Sequence, residues 1–457
     1  MPKANSPPLS PEPELDLSTK GQVKDPSALS SAVEAAKARF LERNPISGKL
    51  FEEASQYLPG GNTRTLLYTA PYPICMKKGE AYKVYDEDGH EYTDFVGELT
   101  AGLYGHSHPV IQKCLIDTIT NVGLNLGSTI AQEAAHAKLM CSRFHLDKVR
   151  FCNSGTEANM HALAGARYFT GKRKVVVFSG GYHGAVFGFW DGVQENGVDK
   201  HEWVIGRYND VEGAKKLIEQ DDIAAVLVEG MQGAGGCIPG TREFLHQVQE
   251  SAKKVGACFI LDEVMTSRLS PSGLQAILGL SPDLTTFGKW LGGGLAFGAF
   301  GGREDIMAVY DPRSPSSLAH SGTFNNNTLA MHAGFTGLSE IWKPEVAIEF
   351  NELGDSFRAD LQAVARGTKM SVTGRGTLVG IHFSQEGTTE IPCREAIVED
   401  WDLKDLFFME MMEDGFWLTR RGSIALILGT PKSELDRFVK SVGQFLERHQ
   451  NLVTLAK

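Results

Sequence analysis

From about residue 110 to 345 the chain alternates short apolar runs with stretches of helical spacing, and no other feature narrows the possible folds as far. Residues 149–152, 174–178, 224–228, 257–261 and 285–287 read as strands. They are short and apolar, and each is closed by a polar residue or glycine. Residues 156–169, 211–219 and 241–255 place apolar side chains at helical intervals. Strands that are apolar on both faces need cover on both faces. The expected architecture is therefore α/β, a mostly parallel sheet between two layers of helices. In such a sheet, ligands collect at the carboxyl ends of the strands.

Two of these runs end in carboxylates: 257–261 stops at Asp262 and Glu263, and 224–228 stops at Glu229. Lys289 follows in another apolar stretch, just before Gly292, Gly293 and Gly294. A lysine among apolar neighbours is poorly solvated, which favours its neutral, nucleophilic amine. A nucleophilic lysine with a strand-end carboxylate is the arrangement pyridoxal 5'-phosphate requires. The amine forms a Schiff base and the carboxylate keeps the pyridine nitrogen protonated. The same pair also suits a structural ion pair.

Glycine-rich turns supply further candidates. In Asn153-Ser-Gly-Thr-Glu-Ala-Asn159, the hydroxyls of Ser154 and Thr156, the turn at Gly155 and the start of a helix form an anion cradle. An ordinary helix cap reads equally well. The motif GxxxxGK[ST] is absent, which argues against a nucleotide triphosphatase. Tyr182 lies in Ser179-Gly-Gly-Tyr-His-Gly184, where its ring could cover a planar cofactor, and His183 beside it reads as structural. His320-Ser-Gly-Thr-Phe324 offers more donors to a phosphate. Arg64 and Arg421 are basic groups at turns and carry no role by themselves.

A net charge of −11 disfavours nucleic acid or an anionic membrane as the main partner. Seven cysteines without CxxC spacing fit a reduced, cytoplasmic compartment. His106 and His108 lack a Cys or carboxylate nearby to complete a ligand set, so no metal site is expected. No basic stretch followed by an apolar one opens the chain, so no secretory leader is expected. Residues 1–28, rich in Pro, Ser and charge, read as a disordered or loosely docked tail. Residues 29–95 carry an amphipathic helix at 30–43 and a hairpin at 82–95 closed by Asp88-Gly89, and should join the small domain. Residues 96–345 form the large domain. Residues 346–457 read as a smaller α+β domain, with helices at 347–365, 404–412 and 432–446 and strands at 378–383 and 423–428.

The order of these pieces is more specific than any one of them. It runs from the Ser154 turn through Gly-Gly-Tyr182-His-Gly, the strand-end Glu229, Leu261-Asp-Glu-Val264, Lys289 before three glycines, and Ser321-Gly-Thr-Phe324. Over about residues 30–450 the chain resembles the class III, fold-type I pyridoxal-phosphate aminotransferases. Pro59-Gly-Gly-Asn-Thr-Arg64, Asp262 to Leu269, Gly298-Ala-Phe-Gly-Gly302 and His320 to Asn327 are most similar to β-phenylalanine aminotransferases, and next to glutamate-1-semialdehyde aminomutases.

The resemblance implies a seven-stranded sheet and a homodimer. It implies Lys289 as Schiff-base lysine and proton shuttle, with Asp262 on the pyridine nitrogen. Ser154, Gly155 and Thr156 would hold the phosphate, with Thr323 from the neighbouring subunit. Tyr182 and Val264 would flank the ring, and Glu229 would belong to the cofactor site. Arg64 would hold the substrate carboxylate, and Arg421 a second carboxylate, or it would swing aside for an aromatic group. The implied reaction moves the amino group of a β-amino acid to 2-oxoglutarate or pyruvate. An aminomutase, a broad amine transaminase and a catalytically silent binding protein are the alternatives. The chain departs from the family at Glu229-Gly230, where many members read Glu-Pro. It departs again at Leu426-Ile-Leu-Gly-Thr430, where close relatives carry a Leu-Ser-Leu-Pro-like strand.

Overall fold

A computed structural model describes residues 26–455, apart from 385, 386, 388 and 389. The expected tail at 1–28 therefore lies almost wholly outside the described residues. The first helix begins at Pro26, earlier than the periodicity predicts, and runs to Arg43. Proline suits a first helical turn, where no N–H is needed.

The centre is a seven-stranded sheet. In chain order its strands are β1 (Lys148–Cys152), β2 (Lys174–Phe178), β3 (Trp203–Gly206), β4 (Ile223–Glu229), β5 (Cys258–Asp262), β6 (Leu284–Gly288) and β7 (Gly298–Gly302). They lie in the order β1-β7-β6-β5-β4-β2-β3. All pairs are parallel except those of β7, which runs antiparallel to both neighbours. Every residue of β4, β5, β6 and β7 is buried, as expected of a sheet covered on both faces.

The sequence pattern misses two of these strands. β3 is a short edge strand with one fully buried residue, so its apolar signal is weak. β7 reads Gly-Ala-Phe-Gly-Gly, which looks like a loop. The packing explains the glycines. A Cβ on Gly298 would lie 2.2 Å from the Ser154 carbonyl oxygen, and one on Gly301 2.3 Å from that of Lys148. Glycine here admits close backbone approach rather than weakening the strand.

The parallel register sets Asp262 opposite Glu229 on one side and opposite Thr286 on the other. Two strand-end carboxylates thus stand abreast at one edge of the sheet.

The C-terminal part builds an antiparallel sheet from Met370–Arg375, Leu378–Phe383 and Ser423–Ala425. Helices Pro344–Ala365, Trp401–Glu413 and Lys432–Arg448 accompany it. The last strand is shorter than predicted. After Ala425 the chain turns away, and the Leu428 N–H bonds the Leu103 carbonyl at 2.9 Å. The hairpin strands Lys83–Asp86 and Glu91–Asp94 pair as the sequence predicts, and Phe416–Trp417 adds in parallel to the second. Phe95 packs on Phe357, Phe416 and Phe438, which binds this segment to the C-terminal helices. No helix of the described residues is long and apolar enough to cross a membrane.

Gly298→Ala should therefore cost about 1–3 kcal/mol through overpacking against Ser154. A denaturant midpoint equal to that of the parent would show that β7 has room for a side chain.

Candidate active site

A cavity of about 290 Å³ opens at the carboxyl edge of the sheet and is closed on its other side by residues 419–425 of the C-terminal part. It gathers Gly155, Thr156, Tyr182, Glu229, Asp262, Val264, Lys289 and Arg421 from the sequence-predicted set. Ser154, Thr323 and Arg64 are not among its lining residues.

The helix Gly155–Thr170 starts at the cavity. Ser154 caps it: its Oγ accepts from the Glu157 N–H at 3.2 Å, and Glu157 Oε2 accepts from the Asn153 N–H at 2.8 Å. The Ala158 N–H is taken by the Ser154 carbonyl. The N–H groups of Gly155 and Thr156 are left to an anion in the cavity that both residues line. The cradle is tight. A Cβ on Gly155 would meet Val264 at 2.8 Å, and one on Gly184 would meet Thr156 Oγ1 at 2.4 Å.

Asp262 is held by three donors. Oδ2 accepts from Asn159 Nδ2 and from His183 Nδ1, each at 2.8 Å, and Oδ1 accepts from the Val264 N–H at 3.0 Å. Thr286 Oγ1 donates to Asn159 Oδ1 at 2.8 Å and so fixes which way that amide faces. A carboxylate offers about four lone-pair positions, so one remains for a donor in the cavity. Glu229 accepts from the Tyr182 N–H at 3.1 Å and the Gly233 N–H at 3.0 Å. Burial, more than any other cause, pushes Glu229 up to about 7.

Lys289 follows β6 and opens a tight turn in the left-handed region, with φ 57°. Strain of this kind persists where packing over-determines it. The next side chain supplies that packing, since Trp290 is buried and donates from Nε1 to Ser267 Oγ at 2.9 Å. Burial lowers the Lys289 ammonium below the usual lysine range, against the pull of Asp262 and Glu229. Among the described residues no carboxylate lies within ion-pair distance of its Nζ.

The two arginines differ. Arg421 lines the cavity with its guanidinium 4.7 Å from the centre of the Trp190 ring. Arg64 stands just outside and pairs with Glu98, both side chains being about half exposed. Their neighbours Leu66 and Leu99 do line the cavity, so the pair sits on its rim. Glu98, Leu99 and Thr100 all have left-handed φ values, a strained run at the cavity edge.

The family model for aminotransferase class-III matches residues 68–439. The chain belongs to the class-III aminotransferases. It is 48% identical over 95% of its length to an uncharacterized aminotransferase of Schizosaccharomyces pombe, covering 100% of that protein. It is 44% identical to the β-phenylalanine transaminase of Variovorax paradoxus, over 94% of this chain and 99% of that one. A crystal structure of a β-phenylalanine aminotransferase from Variovorax paradoxus superposes with a TM-score of 0.91 at 44% identity, covering 94% of this chain and 100% of that one. A glutamate-1-semialdehyde 2,1-aminomutase of Brevibacillus brevis is 34% identical over 81% of this chain and 90% of that protein.

As a class-III aminotransferase the protein is a transaminase of fold type I that depends on pyridoxal 5'-phosphate. The residues present fit that cofactor. The cavity offers an anion cradle at a helix start, a buried carboxylate with one acceptor position free, and an amine with no carboxylate partner among the described residues.

Sequence reasoning missed the residues that hold these groups. Asn159 ends the Asn153-Ser-Gly-Thr-Glu-Ala-Asn159 motif and sits one helical turn from Gly155, a signal that could have marked it. His183 reads as structural in the sequence, and its bond to Asp262 places it directly behind a site carboxylate. Glu98 gave no local signal as the partner of Arg64.

Glu229 also makes a pH prediction for the cofactor-free protein. An unfolded glutamate titrates near ~4.3, so the folded protein holds the proton more tightly. Its ionisation destabilises the fold as pH rises from that value to about 7. Glu229→Gln mimics the protonated form, so its melting temperature should gain on that of the parent between pH 5 and pH 8. A difference that stays constant or moves in the opposite direction would contradict the buried, proton-holding carboxyl.

Proposed function

We propose that this transaminase moves the amino group of an aromatic β-amino acid, of the β-phenylalanine kind, to a 2-oxo acid such as 2-oxoglutarate or pyruvate. The observation that carries this is the 44% identity to the Variovorax β-phenylalanine transaminase across 94% of the chain. The cavity agrees with it: Leu66, Val96, Leu99, Met231, Met265 and Ile424 offer apolar surface to an aromatic ring, beside the guanidinium of Arg421.

When bound, pyridoxal 5'-phosphate would supply an aldehyde for the donor's amine and an electron-accepting ring. Lys289 would be the amine that bonds the aldehyde, and its Nζ would then carry the proton from the donor's amine-bearing carbon. Burial supports both steps by favouring the neutral amine. Asp262 would offer its remaining acceptor position to the protonated ring nitrogen. Gly155 and Thr156 would hold the phosphate through the start of their helix, which Ser154 caps. Tyr182 and Val264 would flank the ring, and Glu229 fixes the Tyr182 and Gly233 backbone beside them. Thr323 is exposed and outside its own cavity, which suits a homodimer in which it serves the neighbouring subunit's phosphate. The seven cysteines are all free thiols, in keeping with a cytoplasmic location.

Arg64 grips the donor's carboxylate by exchanging it for Glu98 at the rim. Arg421, inside, receives the distal carboxylate of a dicarboxylic acceptor and turns aside when an aromatic group needs the space.

A panel of amine donors with 2-oxoglutarate and with pyruvate tests the reading, with β-phenylalanine expected among the best donors. Amine turnover without any added acceptor would point to an aminomutase instead. Lys289→Ala should lower turnover by at least about a thousandfold while phosphate-anchored cofactor still binds weakly. Near-normal turnover would remove Lys289 from the chemistry. Arg64→Ala should reduce kcat/KM for β-phenylalanine roughly 10- to 100-fold and spare 1-phenylethylamine, which has no carboxylate. An equal loss for both donors would leave Arg64 a rim residue only.

A further inference from the structure

The C-terminal lobe holds a buried charged cluster that the chemistry above does not use. Lys404, on the Trp401–Glu413 helix, donates from Nζ to Glu399 Oε1 at 2.7 Å and to the Arg421 carbonyl at 2.8 Å. The Lys404 and Glu399 side chains are 4% and 6% exposed. Glu399 Oε1 also lies 2.7 Å from His382 Nδ1, and Oε2 accepts from the Phe383 N–H at 3.2 Å. The other ring nitrogen of His382, Nε2, is 2.9 Å from the Gly236 carbonyl. A carboxylate only accepts, so the ring hydrogen sits on Nδ1, and Nε2 faces the Thr373 hydroxyl at 3.0 Å, which itself lies 2.6 Å from the Gly236 carbonyl. Gly236 adjoins Cys237, which lines the cavity. One run of polar contacts therefore passes from the loop after β4, through Thr373, His382, Glu399 and Lys404, to the main chain of Arg421.

The next residue of the same helix treats the preceding arginine differently. Asp405 forms a two-pronged ion pair with Arg420, one contact being 3.0 Å. Arg420 is thus neutralised at its guanidinium. Arg421 is held at its backbone, and its guanidinium, over Trp190, has no carboxylate within 4.0 Å among the described residues. A buried lysine–glutamate pair adds little to stability, because desolvating both charges offsets their attraction. Its position behind a cavity-lining arginine gives it another use.

We propose that Lys404, fixed by Glu399 and His382, is a positioning residue: it sets the Arg421 main chain and thereby aims the guanidinium that receives the acceptor's distal carboxylate. This rests on the role given to Arg421 in the proposed function.

The test uses the cofactor-loaded enzyme with Lys404→Met, with the double variant Lys404→Met/Glu399→Gln, and with Arg421→Ala beside them. The double variant removes the carboxyl charge that the single one leaves buried and unpaired. The donor and acceptor half-reactions are followed separately by cofactor absorbance, and glutarate, a non-reacting dicarboxylate, is titrated calorimetrically. In both Lys404 variants, KM for 2-oxoglutarate and Kd for glutarate should rise about tenfold, the scale of one misplaced charge-assisted hydrogen bond. The acceptor-side kcat and the donor half-reaction should stay as in the parent. The proposal is overturned if the double variant binds glutarate like the parent while Arg421→Ala does not, or if both half-reactions fall together. Should Arg421→Ala itself leave glutarate binding intact, the acceptor role of Arg421 falls and this inference falls with it.

Discussion

The carboxylate of Asp262 is shared by three separate parts of the chain. Asn159 reaches it from the helix after β1, His183 from the turn after β2, and the Val264 N–H from its own strand end. A buried charge without such donors would cost several kcal/mol, so each of these segments is constrained to its place. Thr286 on β6 completes the constraint by fixing the Asn159 amide. The sheet register that brings Glu229, Asp262 and Thr286 side by side is thus tied to the helix start that forms the anion cradle. Cavity, cradle and Lys289 keep their relative geometry because one carboxylate requires it.

The same burial sets the charge states around that carboxylate. Glu229 is pushed towards its neutral form, and Lys289 is drawn away from its charged form. Each shift has desolvation as its main cause, so both follow from the apolar walls of the sheet edge rather than from a dedicated partner. The desolvation that favours the neutral amine at Lys289 is what the proposed nucleophile and base would need.

The sequence revealed those parts of the site whose signal is local. An apolar run that ends in Asp or Glu, and a lysine before three glycines, are complete within a few residues, and the structure sets all three groups in one cavity. Strand β7 escaped because its glycines answer to the Ser154 and Lys148 carbonyls, which lie far away in sequence. The ion pair of Arg64 with Glu98 escaped for a similar reason: the acid sits in a strained left-handed run that no local pattern announces. Lys404 gave no signal, because a lysine on an amphipathic helix is ordinarily solvated, and only the packing of Glu399 and His382 around it makes it buried. The shortened strand at Ser423–Ala425 belongs with these cases, since the contact of Leu428 with Leu103 ends it.

These differences divide the site by function. The groups suited to cofactor chemistry sit on strand ends and a helix cap, where backbone geometry fixes them and motif spacing reveals them. The groups proposed to choose a substrate, Arg64 and Arg421, sit on loops, and each contacts a partner from elsewhere in the chain, the Glu98 side chain in one case and Lys404, at the main chain, in the other. Loops on a rigid scaffold can change without disturbing the sheet. A chain of this kind can therefore keep the transaminase machinery while its choice of carboxylate is reset by side chains some distance from the reacting atoms. On the proposed roles, local motifs carry the reaction class, while the rim and the C-terminal part carry the substrate range.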